Sequence, residues 1–250
     1  MPGDYSVTVV ELITQSAPKG ALRARQLTAS GQQALWVPAL EIEPIKDVDV
    51  SALAALRNGD VLFVVSGHAA RLLASLANSM NNADLCCWAP GQATAELLAD
   101  LMSDYQGQLS VRWPAHATSE ALLQDADFQS QIRRSGQLLV VAGVGGRTLI
   151  QERVRALGVK VERLQLYRRQ GRVPDNDEVK QLRRLSNCSV NVGLLSATAI
   201  EAIEQHWPAA VLSALKGQQA TCPSDRVASI AKRFGWTNVV LTGPDRNDET

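Results

Sequence analysis

The sequence predicts an α/β protein with two lobes, each built on a parallel sheet. Short apolar, β-branched runs alternate with longer amphipathic segments along the whole chain, as they do in successive strand–helix units. Landmarks of the first half recur in the second half, and the length of 250 residues exceeds that of one average domain. A hydrophobic fraction of 46% and a charged fraction of 20% are typical of a globular protein.

The elements follow from hydrophobic periodicity. Strands are predicted where short apolar runs end at turn residues, and helices where apolar residues recur every three or four positions. The predicted strands are 7–13, 34–37, 61–65, 85–88, 109–113, 138–141, 160–166, 190–195, 219–222 and 238–241. The clearest helices are 68–80, 93–102, 147–157, 197–206 and 226–234.

The two halves carry the same landmarks at a nearly constant separation. Ser66 and Ser196 each end a buried strand and are 130 positions apart. Four further pairs are separated by 129 to 133 positions: Thr14 and Gly143, Pro38 and Tyr167, Pro90 and Pro223, Pro114 and Pro244. This spacing favours a duplication, although any series of strand–helix units has a period near 25 residues. Ligands of open α/β folds bind at the carboxyl ends of the strands, so we expect a cleft between two facing lobes.

Two strand-to-helix turns are the first candidates for ligand binding. Ser66-Gly67 follows the strand 61–65, and Ser196-Ala197 follows the strand 190–195. Each serine is a natural N-cap, whose hydroxyl can accept a first-turn amide. The same amides, with the positive end of the helix dipole, can instead bind a carboxylate or phosphate. A capping role alone is the alternative for each serine.

Other turns offer similar groups. Gly91 and Thr94 stand at the start of the helix 93–102, and Ser224 precedes the last helix. Thr118 or Ser119 precedes a short apolar run and equally fits an ordinary cap.

The segment 143–148, Gly-Val-Gly-Gly-Arg-Thr, follows a strand and is predicted to open a helix. Gly145 and Gly146 would let backbone amides approach an anion, and Arg147 adds a planar fork of donors for carboxylates. The segment lacks the lysine of a P-loop and the final glycine of the dinucleotide motif. Arg147 is also compatible with a plain surface position.

Standard catalytic clusters are missing from the sequence. The three histidines are far apart without metal-ligand spacing, and no serine or cysteine stands in a nucleophile motif. Tyr167, at the end of the strand 160–166, is a phenol placed where two lobes would join, and it can donate a proton to a leaving hydroxyl. Packing of an aromatic ring at a junction is its alternative role.

Charge and cysteine usage limit the partners. The 25 basic residues match 25 acidic ones, so no overall field favours nucleic acid or an acidic membrane. The four cysteines show no CxxC spacing and are interpreted as reduced thiols. No signal peptide or membrane-length apolar run is indicated, so we expect a cytoplasmic protein, monomeric by default.

Scattered motifs over nearly the whole chain resemble the uroporphyrinogen-III synthase family. Residues 65–70 resemble its Thr-Ser-x-x-Ala-Val turn, 91–95 its Gly-x-x-Thr-Ala helix start and 119–123 its Ser-Glu-x-Leu-Leu segment. The strongest match runs from Gly143 to Arg147 and on to Tyr167-Arg168. The segments 223–228 and 235–236 are similar to its last helix and the following Gly-aromatic turn.

The resemblance implies two flavodoxin-like, Rossmann-like lobes joined by a two-stranded connector. The first strand–helix unit of each half would be exchanged, with 1–39 and 172–250 in one lobe and 40–171 in the other. The implied reaction is cyclisation of hydroxymethylbilane, a linear tetrapyrrole with eight carboxylates, to uroporphyrinogen III. Water is lost, ring D is inverted through a spiro intermediate, and no cofactor or metal takes part. Tyr167 would correspond to the family's tyrosine.

The chain departs from the family pattern at two frequent arginines. Thr14-Gln15-Ser16 stands where Thr-Arg-Pro is common, and Ala142-Gly143 stands where Arg-Gly is common. A non-catalytic, two-lobed protein that binds a tetrapyrrole or another polyanion is therefore the alternative function. A nucleotide-binding regulator is a third hypothesis, resting on the glycine-rich turn alone.

Overall fold

The structure is a computed structural model that describes residues 9–242, and its eleven described strands form two separate sheets. The strands are β1 (Val9–Ile13), β2 (Gln33–Trp36), β3 (Leu40–Pro44), β4 (Val61–Val64), β5 (Leu85–Trp88), β6 (Leu109–Arg112), β7 (Gln137–Gly143), β8 (Lys160–Gly171), β9 (Ser189–Gly193), β10 (Gln219–Cys222) and β11 (Asn238–Leu241).

Helices connect most of the strands. They are α1 (Lys19–Ala29), α2 (Ser51–Ala54), α3 (Gly67–Ala74), α4 (Gln92–Leu101), α5 (Ser119–Gln124), α6 (Ala126–Arg134), α7 (Leu149–Ala156), α8 (Asn176–Arg184), α9 (Ala197–His206), α10 (Ala209–Leu215) and α11 (Asp225–Arg233). Short 3-10 turns at Ala77–Ser79 and Leu185–Asn187 follow α3 and α8. The alternation of strands and helices confirms the α/β class.

The five-stranded sheet has the order β11-β10-β9-β1-β2, with parallel pairing throughout. The first strand of the chain therefore lies beside a strand of the second half, with Val10 opposite Val190 and Ile13 opposite Gly193. Its core contains buried side chains from strands and from the covering helices, including Leu12, Val192 and Ile200.

The six-stranded sheet has the order β3-β8-β7-β4-β5-β6. The pairs β8–β7, β7–β4, β4–β5 and β5–β6 are parallel. Every residue of β4 and β7 is buried, as expected for central parallel strands that are covered on both faces. Trp88 packs edge-on against Phe128 in this core, with ring centroids 5.4 Å apart.

The described residues divide into two compact units. One contains the residues up to Ile42 and those from Arg169 onward, and the other is Glu43–Arg168. Both boundaries fall within strands, in β3 and β8, so the chain passes from unit to unit in extended conformation. The first unit holds the five-stranded sheet.

Several predicted elements need correction, and two predicted positions, Val7 at the start of a strand and the landmark Pro244, lie outside the described residues. β3 was not among the predicted strands; it contains Pro44, which is tolerated because β3 is an edge strand. The predicted strand 160–166 continues to Gly171. The predicted helix 68–80 ends at Ala74, where Ser75 is the C-cap.

Candidate functional site

The predicted site residues of the unit Glu43–Arg168 follow strands whose carboxyl ends meet at one edge of the sheet. The turn with Ser66 follows β4, the turn with Gly91 follows β5, and the turn with Gly145 follows β7. Because these strands are parallel neighbours, their turns lie along the same edge. The structure thus brings together groups that are up to 79 residues apart in the sequence, as for Ser66 and Gly145.

Ser66 joins β4 to α3 as an N-cap in extended conformation, with φ −168° and ψ 163°. Its Oγ accepts the backbone N–H of Ala69 at 3.2 Å, as the capping prediction requires. The same Oγ lies 3.0 Å from the Tyr167 hydroxyl oxygen, and either group can be the donor. The next residue, Gly67, is closely packed, because a Cβ there would lie 3.1 Å from the Leu97 side chain.

Tyr167 lies inside β8 and not at its end, which corrects the sequence-based placement. Its side chain is 1% exposed, and its ring packs against His68 with centroids 5.9 Å apart. Gly143 pairs with Tyr167 across an irregularity in the ladder, and a Cβ at Gly143 would come within 2.6 Å of the ring. Packing against His68 and Gly143 therefore fixes the ring of Tyr167, and the contact with Ser66 fixes its hydroxyl.

The glycine-rich turn after β7 adopts a conformation that requires glycine. Gly145 has φ 73° and Gly146 has φ 87°, both in the left-handed region. Arg147 is exposed, as one of its two predicted roles requires. The prediction that the helix starts at residue 147 was wrong, because α7 begins at Leu149 with Thr148 as N-cap.

Arg163, on β8, was missed by the sequence analysis and contacts this turn directly. Its guanidinium donates to the carbonyl of Gly143 at 2.9 Å and to the carbonyl of Gly145. Burial lowers the pKa of the Arg163 guanidinium below its ordinary value, while the nearby Tyr167 acts in the opposite direction. The available signal was a charged residue within a predicted parallel strand, where apolar residues are the rule.

The turns after β5 and β6 supply the remaining groups of this unit. Gly91 is the N-cap of α4 with φ −167° and ψ 170°, and its carbonyl accepts the N–H of Thr94 at 3.2 Å. Ahead of α5 the cap is Thr118, whose hydroxyl accepts the N–H of Ala121 at 3.1 Å. Ser119 is the first helical residue and is half-buried.

In the other unit, the predicted residues lie at the carboxyl ends of the neighbouring strands β9 and β10. Ser196 caps α9 with φ −155° and ψ 156°, and its Oγ accepts the N–H of Ala199 at 3.2 Å, with Ala197 as the first helical residue. Ser224 precedes α11 with φ −159° and ψ 159°, but its side chain makes no capping hydrogen bond. The two serines thus share a backbone geometry and differ in the use of the hydroxyl.

Thr14 directly follows β1 at the same edge, next to the end of β9, and is buried. Its hydroxyl donates to the carbonyl of Gly193, which ties the ends of these two strands together. The neighbouring Gln15 carbonyl accepts the indole N–H of Trp36 at 2.8 Å. The Thr14-Gln15-Ser16 segment is therefore anchored by its backbone and by a short hydroxyl side chain.

The structure also limits other kinds of chemistry. Among residues 9–242, no cluster of three or more histidine, cysteine or acidic side chains is arranged to hold a metal ion. All four cysteines are free thiols, and burial raises the pKa of Cys87 and Cys222. In the same described part of the chain, no helix has the length and apolar character that crossing a membrane requires.

Comparison with known proteins identifies the family. The family model described as uroporphyrinogen-III synthase HemD (HEM4) matches residues 23–246. Uroporphyrinogen-III synthases from Salmonella typhimurium and Escherichia coli are each 27% identical to the chain, and each match covers 95% of it and 96% of the relative. The enzyme of Proteus mirabilis is 30% identical over 63% of this chain and 79% of its own length.

Solved structures agree in fold. A uroporphyrinogen-III synthetase from Helicobacter pylori aligns with a TM-score of 0.56 at 11% identity, and a mutant uroporphyrinogen III synthase from Thermus thermophilus aligns with 0.51 at 17%. Each alignment covers 95% of this chain and 94% of the solved one. The relatives are named as synthases, so the non-catalytic alternative gains no support. By the match of its family model over most of its length, the chain belongs to the uroporphyrinogen-III synthase family, enzymes of tetrapyrrole biosynthesis.

Proposed function

We propose that this enzyme converts hydroxymethylbilane to uroporphyrinogen III mainly by holding the substrate's carboxylates at strand-to-helix turns. The observation that carries the proposal is a backbone geometry shared by four turns. Ser66, Gly91, Ser196 and Ser224 all have φ between −168° and −155° and ψ between 156° and 170°, and all precede a helix at the carboxyl end of a parallel strand.

Such turns suit an anionic substrate. The first amides of a helix have no partner within the helix, and the helix dipole adds positive potential at that end. At Gly91 and Ser224 no side chain caps the helix. Apart from the Thr94 N–H, which donates to the Gly91 carbonyl, the first-turn amides there are left for a ligand carboxylate. Arg147 is exposed beside the glycine-rich turn and adds a bidentate carboxylate donor. Gly67, Thr94, Ser119, Gly145, Gly146 and Ala197 would contribute further contacts at the same turns.

Placement matters more than acid or base strength in this reaction. Loss of the terminal hydroxyl as water leaves a delocalised cation that a pyrrole carbon attacks readily. The isomer formed then depends on how the two chain ends are held, since attack at the substituted carbon gives the spiro intermediate and inverts ring D. Holding reacting groups in one geometry lowers the barrier through entropy, without a strong catalyst group.

Tyr167 is the proposed proton donor to the leaving hydroxyl. The carbon–oxygen bond breaks, the departing hydroxide takes the phenolic proton, and water leaves. Loss of a proton from the ring carbon after closure restores the phenol, so the net change is the release of one water. Ser66 lies 3.0 Å from the Tyr167 hydroxyl, so it can orient the phenol and share the proton.

We also propose the type of partner, the compartment and the oligomeric state of the enzyme. A balanced charge of 25 basic and 25 acidic residues supports a small-molecule substrate over nucleic acid or a membrane surface as the partner. Four free thiols support a reducing compartment, for which we propose the cytoplasm. The scheme requires no cofactor and only one chain, so a monomer is proposed.

An isomer-resolved assay tests the function. Freshly made hydroxymethylbilane is incubated with the purified protein, and the oxidised products are separated into type I and type III porphyrins. We expect type III to dominate, while heat-inactivated protein yields the spontaneous type I isomer. Type I alone from the active preparation would refute the proposed activity, and calorimetric binding without turnover would favour the binding-protein alternative.

A further inference from the structure

Arg163 makes an unusual set of contacts beside the glycine-rich turn. One guanidinium nitrogen donates to the carbonyls of Gly143 and Gly145. Another lies 3.5 Å from the Oε1 of Gln151, a residue of α7 that is 3% exposed. One side chain on β8 therefore contacts the end of β7, the turn and the following helix.

The charge of Arg163 is not neutralised by a carboxylate. Among the described residues, no acidic side chain lies within ion-pair distance of its guanidinium, although seven ion pairs occur elsewhere. Its Nε and the Nε2 of Gln151 are buried and have no hydrogen-bond acceptor in that part of the chain. A half-buried cation without a counter-ion creates a positive potential at the turn.

The two carbonyl contacts also set the direction of the amides. In a planar trans peptide the C=O and the following N–H point in opposite directions. With the Gly143 and Gly145 carbonyls directed at Arg163, the N–H groups of Val144 and Gly146 point away from it. The N–H of Val144 donates to the Tyr167 carbonyl at 2.7 Å, whereas that of Gly146 donates to no backbone carbonyl among residues 9–242.

We propose that Arg163 is a positioning residue for substrate binding, which holds the turn so that the Gly146 amide faces a substrate carboxylate. Its uncompensated charge strengthens that contact at short range. The proposal rests on the proposed function, because it assigns the turn a carboxylate of the bilane. Arg163 itself is not required to touch the reacting atoms.

Three variants test this role: Arg163→Gln, Arg163→Lys and the control Arg153→Gln. Arg153 is an exposed arginine of α7, so its replacement removes the same charge nearby without changing the turn. For Arg163→Gln we expect the KM for hydroxymethylbilane to rise about tenfold while kcat changes less than threefold, because the lost interaction is a charge-assisted one used in binding. The KM of Arg163→Lys should lie between those of the wild type and Arg163→Gln, since lysine keeps the charge but not the planar fork.

A salt titration separates this role from a purely structural one. The KM of the wild type should rise with ionic strength, and this dependence should weaken in Arg163→Gln but persist in Arg153→Gln. Equal KM values for wild type and Arg163→Gln would overturn the proposal. A loss of kcat with unchanged KM, together with a lowered melting temperature that Arg163→Lys does not relieve, would show a structural role alone. If the wild type itself formed no type III product, the proposed function would fail first, whatever the variants do.

Discussion

At the scale of single residues, the Tyr167 hydroxyl is the group on which the proposed proton transfer depends. Its ring is fixed by burial and by Gly143, and its hydroxyl meets Ser66. Tyr167→Phe keeps the ring and removes only the proton donor. We expect kcat to fall about 100-fold, in the lower range of general-acid effects, as measured by initial rates of uroporphyrinogen formation.

Tyr105→Phe is the matched control for this prediction. The Tyr105 hydroxyl donates to the carbonyls of Asn81 and Ala83, away from the predicted site residues. Its removal should cost about 1 kcal/mol of unfolding free energy and leave kcat unchanged. Full activity of Tyr167→Phe would remove the tyrosine from the proton transfer.

Gly143 provides a second test at the same scale. A Cβ at this position would lie 2.6 Å from one carbon of the Tyr167 ring and 2.8 Å from another, so Gly143→Ala must displace the ring or the strand. We expect a loss of about 1–3 kcal/mol of unfolding free energy, measured by urea denaturation. At Gly217 an added Cβ meets nothing within 4 Å, so Gly217→Ala should change stability by less than about 0.5 kcal/mol. Equal unfolding free energies for Gly143→Ala and Gly217→Ala would contradict the close packing of Gly143 against the Tyr167 ring.

At the scale of elements, a comparison of Ser196 with Ser224 distinguishes helix capping from ligand binding. Both precede a helix in the same backbone conformation, but only Ser196 accepts a first-turn amide through its side chain. Ser196→Ala should therefore cost about 1 kcal/mol of unfolding free energy, whereas Ser224→Ala should cost almost none. If Ser224 binds substrate as proposed, its alanine variant should raise KM. A destabilised Ser224→Ala would show that its hydroxyl supports the fold.

Local sequence signals were sufficient for the elements that end in clear turns. β5, β10, β11 and α9 have the predicted boundaries, because apolar runs there are bounded by Pro, Gly or Ser. The cap at Ser196 was predictable for the same reason. These features depend on neighbours within a few residues.

Features that depend on distant contacts could not be read from the sequence. Arg163 and the Gly145 carbonyl are 18 residues apart and meet only because β8 lies beside β7. The length of β8 was missed because its final residues are polar and exposed, which masks the strand pattern. The burial of Tyr167 follows from a ladder irregularity opposite Gly143, for which no local motif exists.

At the scale of the whole molecule, the four cysteine thiols differ in burial, so their reactivity tests the packing of the core. Cys188 is exposed, Cys86 is half-buried, and Cys87 and Cys222 are buried. We expect an aromatic disulfide reagent at pH 8 to modify Cys188 rapidly and the two buried thiols only as the protein unfolds. Cys188→Ser should abolish the fast phase, and a persistent fast phase in that variant would contradict the assigned burial.

The same thiols predict the direction of the pH dependence. Burial raises the pKa of Cys87 and Cys222, and burial also raises the pKa of Tyr105. Well below the ordinary thiol pKa of about 8.5 the thiols are protonated in both states, so their full contribution to stability is present. At higher pH the unfolded state loses protons first, and the unfolding free energy should fall. Urea titrations from pH 7 to 10 would show this decline, and a rise over the same range would contradict it.

The central claim is that placement of the bilane by the turns, and not proton donation, decides which isomer forms. The most direct measurement is the isomer composition obtained with enzyme in excess over hydroxymethylbilane, for the wild type and for Tyr167→Phe. We expect type III from both proteins, with a lower rate for the variant. Type I as the main product of a folded Tyr167→Phe variant, at enzyme concentrations where substrate is fully bound, would contradict it.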